Sequence, residues 1–254
     1  NRRNYFFVGL LVLLGLAQLG VHLSQLGILE LPGWLGIRLG LDMLLFIMAV
    51  MGGRVIPMFT NNGVPGAQAR RVAALEWFAL SSLLLLAAAD ALAFQGAVLA
   101  ALLALCAAAH LARLTLWQPW RTLRTPLVWA LHAAYLWVVL HLGLRAAAEM
   151  GWIAQSIAVH ALTVGGVGGL TLGMMTRTAR GHTARPLRAD AFDTACYLGV
   201  NAAALLRVLL PLAAPDTTSV ATLASAFVWS AAFALFTLRY WPVLTRARVD
   251  AKPG

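Results

Sequence analysis

Apolar runs of about 20 residues follow one another along nearly the whole chain, and each is long enough to cross a hydrocarbon core of about 30 Å as an α-helix. The composition leads to the same conclusion. Of the 254 residues, 61% are hydrophobic and 11% are charged, with a mean hydropathy of +0.80, so too little polar surface remains to cover a soluble globule. We predict an all-α fold, a polytopic transmembrane helical bundle in a lipid bilayer.

The breaks between the runs predict eight spans within a single transmembrane domain of residues 1–254. Proline, glycine and short charged segments supply these breaks. In the second span, Arg54, Pro57, Asn61 and Asn62 predict an ending in a structured turn, because proline and asparagine fix the backbone. The predicted bounds are Asn4–Gly27, Trp34–Phe59, Arg70–Phe94, a fourth span that follows a turn at Gln95-Gly96 and ends near Trp117, Leu127–Ala148, a sixth span that enters after Gly151 and carries Val159–Pro186, then Asp190–Ala213, and an eighth that ends near Trp241.

Basic residues gather at alternate ends of the spans, and 16 of the 19 arginines and lysines fall on one side. By the positive-inside rule that side is cytoplasmic, so both termini lie inside (N-in/C-in), as expected for a bacterial inner-membrane protein. Their placement in short loops accounts for the net charge of +10 without a nucleic-acid partner. The three exceptions, Arg38, Arg145 and Arg207, fall near or within the outer half. The 16 include Arg2, Arg3, Arg54, Arg113, Arg177 and Lys252.

The sixth span combines a glycine face with a histidine. Gly165, Gly169 and Gly173 are four residues apart and lie on one helix face, so we expect a groove that a neighbouring helix approaches closely. At about 100° of rotation per residue, a second set of side chains is predicted to form a separate stripe along the same helix. Such a helix belongs inside a bundle. The stripe consists of His160, Val164, Val167, Thr171 and Met174.

Five histidines lie within the predicted spans, and ionisable groups in hydrocarbon usually mark a pathway or a site. Counting residues along each span places His22, His141 and His160 at a similar height in the outer half, and His110 and His132 as a second pair in the inner half. His132 and His141 should face different neighbours, about 180° apart around their helix. Neutral imidazole is the usual ligand for haem iron and copper, so all five are candidate metal ligands. The alternative for each is a hydrogen bond to a neighbouring helix.

Three arginines are candidate partners for the propionates of a haem, namely Arg38, Arg145 and Arg207. For Arg38 the simpler interpretation is an ion pair with Asp42, one turn further along the helix. Glu76 is expected either to relay protons or to reach water from near the end of its span.

Several other side chains have a structural alternative. Asp90, like Glu76, is expected to relay protons or to reach water. Tyr135 and Met174 are candidate contacts of a cofactor, although core packing is the alternative role for both. Cys106 and Cys196 lie inside apolar runs without CxxC spacing, so we interpret them as buried thiols.

Three segments resemble the NnrS family: GGRVIPMFTNNG (Gly52–Gly63), LHAAYLWVVLHLG (Leu131–Gly143) and HALTVGGVGGLTLGMMTRTARGHTARPL (His160–Leu187). The resemblance implies a membrane protein that is associated with nitric oxide stress and contains haem and copper. It also implies a longer parent protein of about twelve spans, of which this chain forms the C-terminal two-thirds. The candidates that it implies by matched motif are His132, His141, His160, His182, Arg54, Asn61 and Asn62.

Residues and resemblance together predict a membrane protein that binds haem and copper through imidazoles from spans one, five and six, and that serves nitric oxide tolerance. The prediction leaves room for a redox partner. No nucleophile and base lie in a recognisable pattern, so no catalytic activity is assigned. The alternatives are a proton or small-solute transporter or channel that uses the buried histidines, carboxylates and arginines, and a structural subunit that docks through the glycine face.

Overall fold

The computed structural model describes residues 5–30 and 32–250, and within these ranges it contains helices and no strand. Eight helical stretches of 19 to 30 residues are long and apolar enough to cross a membrane, which confirms the all-α fold and the predicted number of spans. The chain is therefore a multi-pass membrane protein. The predicted start at Asn4 and the basic residues Arg2, Arg3 and Lys252 lie outside the described ranges.

Seven of the spans contain one long α-helix each, and the sixth is built from three segments. That span consists of α6, a π-helical segment and α7, which follow one another without a break. The helices are α1 (Tyr5–Gln25), α2 (Gly33–Gly63), α3 (Ala73–Ala91), α4 (Ala97–Leu116), α5 (Pro126–Glu149), α6 (Gln155–His160), the π-helical segment (Ala161–Val167), α7 (Gly168–His182), α8 (Ala191–Ala213) and α9 (Thr218–Leu244).

The second span differs from the prediction at its C-terminal end. The turn expected to begin near Phe59 is absent, because α2 continues through Pro57 to Gly63. Transmembrane helices tolerate an internal proline where neighbouring groups stabilise the freed backbone. The turn comes later, at Gly66, which has a φ of +71°. Asn61 holds the following loop, since its side chain accepts from the Ala69 amide at 2.7 Å and donates to the Ala69 carbonyl at 3.0 Å.

Helix α5 is the most buried span and packs against α2, α4, α6, α7 and α8. The glycine face of the sixth span lies directly on it. A Cβ built at Gly169 would stand 2.8 Å from Ala134, and one at Gly173 would stand 2.8 Å from Leu131. A Cβ at Gly165 would overlap the Trp137 ring. The predicted groove is confirmed, and the helix that fills it is α5.

The predicted stripe on the sixth span is wrong. It assumed a uniform rotation of about 100° per residue, but residues 161–167 are π-helical, and a π-turn takes about one residue more than an α-turn. Val164 therefore packs with Trp137 and with Ala204 of α8. Met174 packs on the other side, among Ile56, Leu131 and Tyr135, and Thr171 is exposed.

The end of the bundle that carries the loop from α7 to α8 is held by an ionic network. Asp190 and Asp193 form a capping box at the start of α8. Arg180 donates to both carboxylates, and Arg239 of α9 donates to Asp190 at 2.8 Å. Burial alone would raise the pKa of Asp190, but hydrogen bonds from Arg239 and the Asp193 amide, with the charges of Arg239 and Arg180, lower it to about 2.

Cys106 and Cys196 are both buried and free, as predicted. Cys106 packs in an apolar cluster formed by α2, α3, α4 and α5, and Cys196 in a second cluster formed by α5, α7, α8 and α9. These two clusters flank α5 and fix its position in the bundle.

Candidate functional site

A cavity of about 160 Å³ lies between α2, α5 and α6, and its lining combines apolar residues with polar and charged ones. It is lined from α2 by Trp34, Arg38 and Asp42, and from α5 by His141 and Arg145. Gln155, Ala158 and Val159 of α6 close its third side. Among the candidate residues predicted from the sequence, the cavity brings together His141, Arg38 and Arg145.

His141 is oriented by a backbone carbonyl of the neighbouring helix. Its Nδ1 lies 2.8 Å from the oxygen of Ala158, and the residue is buried, with 3% of its surface exposed. Because a carbonyl only accepts, Nδ1 carries the proton, and Nε2 is left with a free lone pair. Within the described chain Nε2 has no hydrogen-bond partner. Metal-binding histidines have this arrangement, with one ring nitrogen donating to a carbonyl and the other free to bind.

Buried ion pairs surround the same cavity. Arg145 donates to Asp42 at 3.1 Å and to both carboxylate oxygens of Asp90 at 2.5 Å. Arg38 pairs with Asp90 at 3.3 Å and with Glu149 at 3.5 Å. The expected pair between Arg38 and Asp42 is therefore replaced by two pairs with residues of other helices. Asp90, which was expected to relay protons or reach water, is completely buried.

Two oxygens at this site are buried and lack a hydrogen-bond partner among the described residues, Asp42 Oδ2 and Gln155 Oε1. Both residues line the cavity. The surrounding cluster has two arginines and three carboxyl groups. An imidazole nitrogen and two partnerless oxygens, on residues that line one cavity, together favour binding of a cation.

His160 and His22 do not share this cavity. His160 faces α8, where its Nδ1 donates to the Ser156 carbonyl at 2.5 Å and its Nε2 accepts from Arg207 at 3.2 Å. His22 lies on an exposed face of α1, with its Nε2 2.9 Å from the side chain of Gln18. The three histidines expected at one height thus have three different surroundings. In residues 5–30 and 32–250, no three His, Cys, Asp or Glu side chains group so as to hold a metal ion.

His110 and His132 also lie in separate places, and both use their ring nitrogens in the protein. His132 Nδ1 lies 3.1 Å from the Val128 carbonyl, and its Nε2 lies 3.3 Å from the hydroxyl of Thr60. His132 and His141 therefore face different neighbours, as predicted. His110 Nε2 lies 3.2 Å from the Ala79 carbonyl. These two histidines therefore make hydrogen bonds within the bundle, which is the alternative to metal binding given above.

A second buried cluster was not predicted from the sequence. Arg113, counted above among the loop charges, is completely buried in α4 and donates to both oxygens of Glu76 at 3.0 Å. It also donates to the hydroxyl of Tyr135 at 2.7 Å, and that hydroxyl lies 2.6 Å from His110 Nδ1. Tyr135, a candidate cofactor contact in the sequence, thus contacts His110 and Arg113 instead. A carboxylate within an apolar run was the signal available, because Glu76 needs a cation when buried.

The remaining motif residues lie toward the surface. Arg54 is exposed and lies 5.6 Å from the ring of Phe6, and Asn62 is exposed at the end of α2. Arg177 lies 3.5 Å above the ring of Phe59 and so links α7 to α2. His182 is exposed at the end of α7. None of these residues lines the cavity beside His141.

A family model described as NnrS protein matches residues 1–248, which is essentially the whole chain. The chain belongs to the NnrS family. No curated protein and no solved structure matches it significantly. All three segments that carried the resemblance lie inside the matched range, so the predicted family is confirmed for this NnrS chain.

The donor atoms and the volume of the cavity beside His141 favour one of the two cofactors that the NnrS resemblance implies. Its donors are one imidazole nitrogen, one carboxylate oxygen and one amide oxygen, which suit copper better than a purely oxygen-binding metal because of the imidazole. Its volume of about 160 Å³ accommodates an ion. Sites for large organic ligands occupy about 300–1,000 Å³, so a haem does not fit here. Of the two cofactors, copper is the one that these donor types and this volume favour.

Proposed function

We propose that this NnrS-family chain binds copper through His141 and serves tolerance of nitric oxide in a bacterial inner membrane. The observation that carries the proposal is the free Nε2 of His141, which belongs to an imidazole fixed by the Ala158 carbonyl at 2.8 Å and bordering a cavity. The family match supports the link to nitric oxide. The distribution of arginines supports a cytoplasmic location for both termini.

The residues around His141 would orient the imidazole and supply further oxygen ligands. Ala158 fixes the ring and its tautomer, and Asp42 and Gln155 offer the oxygens that lack partners. Arg145 holds Asp42 in place through the other carboxylate oxygen. Copper bound there would supply a Lewis-acidic centre to which nitric oxide can bind.

Haem is part of the proposal only as a property that the family resemblance implies. His110, His132 and His160 have both ring nitrogens engaged by the protein, His22 lies on an exposed face of α1, and His141 borders a cavity below the size range of large ligands. We therefore assign haem to none of the histidines that the structure describes.

The test is copper binding by the purified protein, measured by elemental analysis and by titration with copper. We expect His141→Ala to lower the copper affinity at least tenfold, since even the loss of a residue that supports a metal ligand costs about 10–100-fold. His132→Ala is the matched control, because it removes a buried histidine from the same helix. The visible spectrum of the same sample reports haem through its Soret band. Equal copper binding by wild type and His141→Ala would refute the proposed site.

The biological part of the proposal is tested in cells that lack their own NnrS protein. Wild-type protein should restore growth under a nitric oxide donor, and His141→Ala should not, at equal amounts in the membrane. If both proteins restore growth equally, tolerance does not depend on this site.

Proton transport is a second candidate function, favoured by the partnerless oxygen of Asp42 at the edge of a membrane-embedded charge cluster. Buried ionisable groups of this kind line proton pathways in transporters. Proteoliposomes containing the protein and a trapped pH dye discriminate between the functions. Proton flux that Asp42→Asn abolishes would support transport, and its absence would leave the metal site as the better explanation.

A further inference from the structure

A second polar cavity, of about 450 Å³, lies on the other side of α6, between that helix and α8. It is lined by Trp152, Ser156 and Ile157 before and within α6, and by Arg207 and Pro211 of α8. The loops that contain Gly151 and Pro215 border this cavity, so it opens at the end of the bundle where these loops lie. It shares no lining residue with the cavity beside His141.

Arg207 is unlike the other two buried arginines of the bundle. Arg113 is neutralised by Glu76, and Arg145 by Asp42 and Asp90. Arg207 is only 9% exposed, yet no described carboxylate lies within 4.0 Å of it. A guanidinium stays charged at any physiological pH, so the described residues leave the charge of Arg207 without a carboxylate at ion-pair distance. Buried charges in proteins are paired, whereas Arg207 has no carboxylate partner in the part of the chain that the structure describes.

The contact with His160 does not neutralise Arg207. His160 Nδ1 donates to the Ser156 carbonyl, so Nε2 is the unprotonated nitrogen and accepts from Arg207 at 3.2 Å. This neutral imidazole orients the guanidinium but supplies no negative charge. The imidazole of His160 accepts from one N–H group of the guanidinium. The other N–H groups make no hydrogen bond within the described chain. Water in the cavity can accept from them, but water carries no charge either.

We propose that this cavity binds an anionic phosphate group through Arg207. The planar guanidinium donates two parallel N–H groups, which match the spacing of oxygens in such anions. Ser156 contributes a hydroxyl at the cavity wall. Two sources offer this chemistry at a loop end of a membrane protein, a soluble oxyanion and the phosphate of an anionic lipid headgroup. The site is independent of copper at His141.

The first experiment uses detergent-purified full-length protein and inorganic phosphate at constant ionic strength, in a calorimetric titration. A second arm reconstitutes the protein in nanodiscs of phosphatidylcholine with or without phosphatidylglycerol, and counts retained phosphatidylglycerol by mass spectrometry. Saturable phosphate binding identifies a soluble oxyanion, and retained phosphatidylglycerol without phosphate binding identifies a headgroup. Binding of neither probe would overturn the proposal.

Variants then locate the binding. Arg207→Gln should weaken it at least tenfold, and Arg207→Lys should weaken it less, because lysine keeps the charge without the planar fork. Arg246→Gln, which removes an exposed arginine near the C-terminus, is the matched control and should bind like wild type. If Arg207→Gln does not fold, Ser156→Ala should still bind several-fold more weakly. Unchanged binding in Arg207→Gln would overturn the assignment to this cavity. If Arg207→Gln does not fold, unchanged binding in Ser156→Ala would overturn it.

Discussion

The guanidinium of Arg113 meets the carboxylate of Glu76 through two hydrogen bonds inside the bundle, from Nε to Oε1 and from Nη2 to Oε2, each 3.0 Å long. Glu76 also pairs with Arg71 at 3.3 Å, but the Arg71 side chain is 50% exposed and that of Arg113 is not exposed at all. One carboxylate thus has a buried and an exposed partner, which makes the effect of burial on an ion pair directly measurable.

Removing the buried partner should be far more harmful than removing the exposed one. Arg113→Gln leaves Glu76 without its main cation, so we expect a loss of about 3–5 kcal/mol in the free energy of unfolding. Arg71→Gln should cost less than about 1 kcal/mol, since an exposed pair is screened by water. Unfolding of both variants in mixed micelles provides the measurement. Similar losses in the two variants would contradict the contrast.

Gly53 is required because the Arg113 side chain passes directly over it. A Cβ there would overlap the guanidinium and lie 3.0 Å from Glu76 Oε2. We expect Gly53→Ala to destabilise the protein by about 1–3 kcal/mol through overpacking. Gly40→Ala is the control in the same helix, because no atom lies within 4 Å of its added Cβ. It should be neutral or stabilising by up to about 1 kcal/mol, as alanine favours a helix over glycine. Thermal midpoints in detergent would reveal whether the two changes differ in sign.

The contact between the sixth span and α5 should fail when the glycine face is filled. Gly169→Leu forces apart two helices that meet at Ala134, where even a Cβ would come within 2.8 Å. Gly143→Leu adds the same side chain to an open position on α5. We expect the first variant to lose folded yield and resistance to trypsin, while the second resembles wild type. Equal resistance would mean that the two helices separate without penalty.

Stability should depend on pH through Asp190. Its pKa of about 2 in the folded protein lies below the ordinary value of 3.8, so its charge stabilises the fold above about pH 4. That contribution is lost as pH falls from about 4 toward 2. Because the side chain is 35% exposed, solvent screening keeps the effect below about 1 kcal/mol. Asp190→Asn keeps a capping side chain, so its stability should fall below that of wild type at pH 5 and converge with it near pH 2. Parallel curves would show that Asp190 is not the group responsible.

The number of spans and the glycine face followed from the sequence because run length and four-residue spacing are local properties. Ion-pair partners did not, since the spacing of Arg38 and Asp42 allowed a pair that Asp90 and Glu149 of other helices displaced. Counting residues along a helix gives the height of a histidine but not the direction in which it points. For His160, that direction depends on Arg207, 47 residues away.

The π-helical segment at Ala161–Val167 makes the length of the sixth span a structural requirement. Upstream of it, His160 meets α8, and downstream Gly169 and Gly173 meet α5. Deleting a single residue within it would restore regular winding and rotate one half against the other by about 100°. The two attachments could not then be made at once. In this segment the number of residues matters as much as their chemical identity.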